Sequence, residues 1–284
     1  MAEHRIIKAR DTQYMDKSAF AAKDFTEVRW LAGAGLMINA RGTLLMIDPL
    51  LATIKDKPRI CEDGLEMVVD HPIKAQDVPH VDAVLYTHSD GDHLGVVTAK
   101  VLETKGPVMI GPPPVFEKLA RAGAKQEIIQ VCRFGDAFTF GCVTVDVIKA
   151  DHPWQLQDPV RYGKPFRPGD ACGYKITCPD GVLLAPGDTR LMEEHLGIKG
   201  VDVLFLDVSR CEYHLNVKGA ITLANCMSDA LLIPYHWGTY NAPEINAHNG
   251  DPEDVFSQVT GRERREKTLA PGEPFRIREG KELL

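Results

Sequence analysis

No stretch of this 284-residue chain approaches the roughly 20 consecutive apolar residues that a membrane-spanning helix needs. The first residues, MAEHRIIKARDTQ, lack the apolar segment of a secretory leader, so the expectation is a cytoplasmic protein with no membrane partner. Cysteine is sparse and poorly spaced for either of its structural uses. There are seven, at positions 61, 132, 142, 172, 178, 211 and 226, an odd number with no CxxC pair, which argues against a disulfide framework and against a thiolate metal site. Basic excess is also missing: 33 Lys and Arg stand against 40 Asp and Glu, a net charge of -7, so no nucleic-acid partner is expected. The glycine-rich stretch GAGLMINARG has Gly33 and Gly35 but Ile38, not the GxGxxG of a nucleotide loop, and reads as a close-packed hairpin. No GxSxG is present, so a serine nucleophile of that type is excluded. No linker rich in Ser, Gly or charge divides the chain, which predicts one domain over 1–284.

What is present is an alternation of short apolar runs. Residues 26–48 read as two strands joined by Arg41-Gly42, and VDAVLY (81–86) reads as a third strand. GVVTAKVLETKG and VFEKLARAGA read as helices around the strand PVMIG, an α/β rhythm. Residues 127–153 are β-rich and almost free of helix signals. A long proline-bearing loop, 153–170, follows, and loops of that length in a compact domain are commonly functional. Then come the hairpin ACGYKITCPDGVLLAPGD, a short helix from about Arg190 to Leu196, the buried strand VDVLFLDVS, the helix NVKGAITLANCMSDA and the strand LLIPYHW. An acidic helix, PEDVFSQVT, and a hairpin, KTLAPGEPFRIREG, close the chain. The two halves share a form, β-hairpins and then alternating strands and helices, that suits two mixed sheets facing each other with helices outside.

The chemistry concentrates where strands end. THSDGDHLG places His88, Asp90, Asp92 and His93 directly after VDAVLY, at the carboxyl edge where open α/β sheets bind ligands. His152 ends TVDVIKAD, Asp188 ends VLLAPG, and His236 ends LLIPY. Each of the last three has an ordinary structural explanation alone; all would have to be ordinary together. Imidazole and carboxylate donors suit Zn, Mn or Fe. Seven such residues exceed what one tetrahedral ion uses and match two divalent ions sharing an aspartate, an arrangement that activates a nucleophile and polarises the oxygen it attacks.

His88-Ser-Asp90-Gly-Asp92-His93, then His152, Asp188 in GDT and His236, resemble the ordered signature of the metallo-β-lactamase superfamily. The segments WLAGAGLMINARGTLLMIDP, MIGPPP and LLIPYHW are most similar to the branch containing L-ascorbate-6-phosphate lactonases and related metal-dependent hydrolases. The resemblance implies an α/β, four-layer αββα sandwich with a binuclear site in the cleft between the sheets. It places His88, Asp90 and His152 on the first metal, Asp92, His93 and His236 on the second, and Asp188 between them, with Asp92 and Asp188 as the catalytic carboxylates. The family motif usually has histidine where this chain has Asp90. That leaves a set of two histidines and one carboxylate at the first position, which suits Mn or Fe as well as Zn.

The function implied is a metal-dependent hydrolase that uses a metal-bound hydroxide on a small ester, lactone or phosphate-bearing molecule. The 153–170 loop can roof such a site, offering Trp154, Arg161, Tyr162, Lys164, Phe166 and Arg167, while Arg190 and Arg210 lie near the same edge. Trp154, Arg161, Lys164, Arg167, Arg190 and Arg210 are the expected substrate contacts, and the cations among them suit an anionic substrate. A homo-oligomer is compatible with the sequence. The competing functions are a phosphodiesterase or nuclease, a di-iron oxidoreductase of the same fold, and a metal-stabilised binding protein.

Overall fold

Along Thr43–Ile47 the side chains alternate between two apolar layers: Leu45 and Ile47 enter one buried cluster, Leu44 and Met46 another. A strand apolar on both faces must be covered on both sides. In the computed structural model, which describes residues 7–283, that requirement is met by a second sheet on one face and helices on the other.

The first sheet has eight strands and the second six. In chain order they are β1 (Thr26–Trp30), β2 (Leu36–Ala40), β3 (Thr43–Ile47), β4 (Ala83–Leu85), β5 (Val108–Gly111), β6 (Ile129–Val131), β7 (Ala137–Phe140), β8 (Val143–Lys149), β9 (Cys172–Cys178), β10 (Gly181–Ala185), β11 (Val203–Asp207), β12 (Leu231–Tyr235), β13 (Phe275–Arg278) and β14 (Lys281–Glu282). The first sheet runs β14-β13-β1-β2-β3-β4-β5-β6 and the second β12-β11-β10-β9-β8-β7. Pairing is antiparallel from β14 to β3 and parallel from β3 to β6. In the second sheet β7 to β10 are antiparallel and β10 to β12 parallel. Both sheets are therefore mixed, and they enclose a core that includes Trp30, Ile38, Leu45, Val145, Tyr174, Leu183 and Phe205. Helices Val96–Glu103 and Pro113–Arg121 cover the outer face of the first sheet through Ala99, Leu102, Val115 and Leu119. Helix Asn216–Cys226 packs on β11 of the second sheet. This is the α/β four-layer sandwich of the metallo-β-lactamase fold.

Three local expectations are corrected. Residues 26–48 form three strands, not two, because the chain reverses at Ala32-Gly33, both at positive φ, with Leu31 N–H donating to the Gly35 carbonyl at 2.7 Å. The turn depends on glycine: a Cβ on Gly33 would meet the Tyr240 hydroxyl at 3.0 Å. The helix expected from Arg190 shortens to Glu193–Leu196, because Met192 is extended (φ -115, ψ 154) and stands as its N-cap. Finally, the 153–170 segment is not structureless. It holds a 3₁₀ turn, Trp154–Gln157, and one helical turn, Pro159–Tyr162, capped by the Asp158 carboxylate.

Candidate metal centre

Six strands deliver their C-terminal ends to one cleft between the sheets. Asp48 follows β3, His88 follows β4, His152 follows β8, Asp188 follows β10, Asp207 ends β11, and His236 follows β12. His88, His93, His152, His236 and Asp188 are all buried, the least so at 4% exposure. Burying that many titratable groups is expensive unless each is paired or bound to a cation.

Their outer partners decide which ring nitrogen is available. His93 Nδ1 lies 2.8 Å from Asp48 Oδ2, His152 Nδ1 3.0 Å from the Tyr213 carbonyl and His236 Nδ1 3.2 Å from the Ala247 carbonyl. Carboxylates and carbonyls only accept, so each of these Nδ1 atoms carries the proton. Thr87 donates its hydroxyl hydrogen to Asp48 Oδ2 at 2.5 Å, and its oxygen then accepts from His88 Nδ1 at 3.0 Å. All four imidazoles consequently turn Nε2 toward the cleft, the arrangement in which histidine serves as a metal ligand with an oriented outer partner.

The inward atoms are close. His93 Nε2 is 3.1 Å from Asp188 Oδ2 and 3.2 Å from His236 Nε2. His236 Nε2 is 3.5 Å from Asp92 Oδ2, and His152 Nε2 is 3.9 Å from Asp188 Oδ2. Two imidazole lone pairs 3.2 Å apart repel unless a proton or a cation lies between them, and a divalent cation can accept both at once. His88 Nε2 and Asp188 Oδ1 have no hydrogen-bond partner although both are buried. Donor atoms of Asp92, His93, Asp188 and His236 form one group close enough to share an ion, and those of His88, His152 and Asp188 form another. Asp188 belongs to both, so the structure holds a binuclear metal-binding cluster.

The electrostatics favours positive charge at this point. Burial alone would raise the Asp92 and Asp188 carboxyls, yet both are held well below the usual range, Asp92 by His93, His236 and His248, Asp188 by His214, His93 and His236. Burial would lower His236, but Asp188 and Asp92 push it up to about 9. A metal ion entering between these residues therefore displaces protons. His152, by contrast, is pushed down to about 3, chiefly by burial, and is a neutral donor.

Asp90 is placed differently from the other sequence candidates. Its Oδ2 accepts the Trp154 indole N–H at 2.6 Å, 3.3 Å from His88 Nε2 and 3.7 Å from His152 Nε2, at the rim of the first group. Among the expected substrate contacts, Trp154 and Arg161 line the cavity of about 920 Å³ that opens over the cluster. Tyr162 lines it too, its ring 4.8 Å from that of Trp154. Arg190 instead pairs with Asp151 at 2.5 Å and Arg210 with Asp254 at 2.6 Å. Lys164 and Arg167 are exposed outside the lining, and the Phe166 ring lies 5.8 Å from that of His88.

Sequence reasoning missed Asp48, Thr87, Asp207, His214 and His248. Asp48 and Asp207 sit at strand ends, the same signal that located the ligands. His214 Nδ1 lies 2.6 Å from Asp207 Oδ2 and its Nε2 3.4 Å from Asp188 Oδ2. His248 Nε2 is 3.7 Å from Asp92 Oδ2, and nothing in the irregular segment around it marks it in the sequence. No helix among the described residues is long and apolar enough to cross a membrane.

Known proteins resemble this chain in sequence and in fold. A UPF0173 metal-dependent hydrolase from Anaeromyxobacter sp. (strain K) is 26% identical over 263 residues, 89% of this chain and 88% of that protein. The crystal structure of an isothiocyanate hydrolase from Delia radicum gut bacteria superposes with a TM-score of 0.67 at 17% identity, over 87% of this chain and 98% of that one. CmlA, a diiron beta-hydroxylase from Streptomyces venezuelae, superposes with a TM-score of 0.63 at 14% identity, over 90% of this chain and 54% of that one. The family model described as Beta-lactamase superfamily domain matches residues 45–237, the span from β3 to the loop that carries His236. The protein therefore belongs to the beta-lactamase superfamily, with the metal-binding cluster of its metallo-enzyme fold.

Proposed function

We propose that the protein is a metal-dependent hydrolase acting on a small ester or lactone. The observation that carries this reading is the common orientation of His88, His93, His152 and His236, each with Nδ1 tied outward and Nε2 turned to a shared Asp188. His88 and His152 would hold a first divalent ion with Asp90 at its rim, and Asp92, His93 and His236 a second, with Asp188 touching both. When bound, two such ions supply a water of lowered pKa and a Lewis acid for the oxygen under attack.

The remaining work falls to the protein. Asp188 would set the spacing of the two positions, and Asp92 would hold the second from the cavity side. Trp154 and Tyr162 cover the cleft and limit water, and the cavity size suits one small to medium molecule. The lining sets Asp63, Glu212 and Glu244 against the single cation Arg161, which favours a neutral acyl substrate over a multiply anionic one. Zn or Mn is the expected metal pair, with Fe the alternative. The same fold in CmlA and the carboxylate at position 90 support a di-iron oxidoreductase as a second reading. Chelation followed by return of Zn, Mn or Fe separates the two. Restored cleavage of neutral esters or lactones without oxygen uptake supports the hydrolase. Cleavage that survives complete metal removal, or that remains at parental levels in Asp188→Ala, refutes it.

A further inference from the structure

We propose that His214, oriented by Asp207, is a ligand of the first metal position and supplies the imidazole that the motif lacks at position 90. The inference rests on the binuclear reading above and concerns what completes it. The second position has four protein donors within reach of one ion, Asp92, His93, Asp188 and His236; the first has only three, His88, His152 and Asp188. Three protein donors leave an ion with an incomplete shell, to be filled by solvent or by one more side chain.

Two residues stand beside this group, Asp90 at its rim and His214, which also stands with Asp207 and His236. Asp90 is one-fifth exposed, and its Oδ2 already accepts the Trp154 indole at 2.6 Å, so binding through that oxygen would strip a hydrogen bond from the roof. His214 is buried to 2% exposure. Its Nδ1 proton is committed to Asp207 Oδ2 at 2.6 Å, which leaves the Nε2 lone pair facing Asp188 Oδ2 at 3.4 Å. Its ring centroid is 4.9 Å from that of His152 and 5.6 Å from that of His236, between a first-position and a second-position ligand. Asp207 is itself buried and fixed: its Oδ1 accepts the Ser209 backbone N–H at 2.8 Å. This carboxylate–imidazole pair has the same construction as Asp48–His93, with the free nitrogen aimed at the same bridging aspartate. A buried aspartate committed to a buried histidine, whose donors lie within reach of both Asp188 and His236, is costly as mere packing. As a ligand and its orienting partner it is accounted for.

The test reads metal binding, not turnover. Metal-free parent, His214→Ala and Asp207→Asn proteins are titrated with Co²⁺, following the visible ligand-field bands, and metal per chain is measured after gel filtration with Zn²⁺. The parent should bind two equivalents. His214→Ala should hold one at parental affinity and the other at least about tenfold more weakly, and Asp207→Asn should lose about 10- to 100-fold in that same site, the usual effect of removing an orienting partner. Added imidazole should restore the altered Co²⁺ bands in His214→Ala, which a purely structural role for His214 would not produce. Should His214→Ala not fold, Asp207→Asn, nearly identical in shape, carries the test alone. Parental affinities for both equivalents in either folded variant overturn the inference, as does loss of one equivalent from Asp90→Asn with none from His214→Ala. A parent that binds a single equivalent removes the binuclear reading itself and the inference with it.

Discussion

Asp48 touches no inward-facing ligand atom, yet replacing it by asparagine should weaken the second metal position. Its Oδ1 accepts the Thr87 backbone N–H at 2.8 Å, and its Oδ2 accepts both the Thr87 hydroxyl at 2.5 Å and His93 Nδ1 at 2.8 Å. An asparagine side chain has one acceptor end and one donor end. If its oxygen stays on the Thr87 amide, its NH₂ faces His93 Nδ1, which must give up its proton to Nε2, the atom meant for the metal. If the amide is flipped, His93 keeps its tautomer but the buried Thr87 N–H faces a donor. Neither orientation satisfies both partners. The backbone does not complicate matters, because Asp48 has φ +44, a region asparagine tolerates well. Loss of an orienting partner weakens metal affinity about 10- to 100-fold, or about 1.4 to 2.8 kcal/mol at roughly 1.4 per tenfold. Competition titration of Asp48→Asn with a chromophoric chelator measures this directly. Affinities within twofold of the parent for both equivalents would show that His93 does not depend on Asp48, and the tautomer argument would fail.

Two further outcomes are expected. Trp154→Phe removes the indole donor to Asp90 while keeping an aromatic roof, so proteolysis and amide exchange across 153–170 should accelerate with little change in metal content; unchanged protection of that segment would contradict the role given to Trp154. His71, whose two ring nitrogens are buried without partners, is pushed down to about 4 by burial. Its folded pKa lies below the unfolded value near 6.5, so its contribution is fully present above about 6.5 and is lost as pH falls toward 4. Melting temperatures of the parent should therefore drop faster between pH 7 and 4.5 than those of His71→Phe, and parallel curves would refute the assignment.

Much of the site was legible because strand-end placement is encoded locally. An apolar run long enough to be a strand, followed at once by His or Asp, locates His88, His152, Asp188 and His236 without any tertiary information. Asp207 obeys the same rule at the end of VDVLFLD, but in the sequence it reads as the close of a buried strand, and His214, seven residues on, gains its meaning only from folding back beside Asp188. His248 lies in an irregular segment that carries no periodic signal. The arginines illustrate the opposite limit. Arg190 and Arg210 follow β10 and β11, but their directions are set by Asp151 and Asp254, 39 and 44 residues away in sequence. A cation's sequence neighbourhood tells where its backbone lies, not which carboxylate takes its side chain. In the fold, the period-two pattern of β3 and the Arg41-Gly42 turn were readable, whereas the break at Ala32-Gly33 depends on contacts with Trp30, Tyr240 and the chain at His236, all supplied by the completed structure.

The departure at position 90 ties the roof to one half of the cluster. Asp90 receives the Trp154 indole; the next residue, Gln155, accepts the Phe166 backbone N–H through its side-chain oxygen at 3.0 Å, and the Phe166 ring stands over His88 and His152. The roof is thus registered on the first metal position through a hydrogen bond, a loop clasp and two ring contacts. The second position is flanked by the segment that carries His248 beside Asp92, which lines the same cavity. A carboxylate suits position 90 for this task, since it accepts the indole with one oxygen and retains the other, whereas a metal-bound imidazole has no acceptor left to offer. Movements of the roof that admit substrate should consequently reach His88 and His152 before His93 and His236.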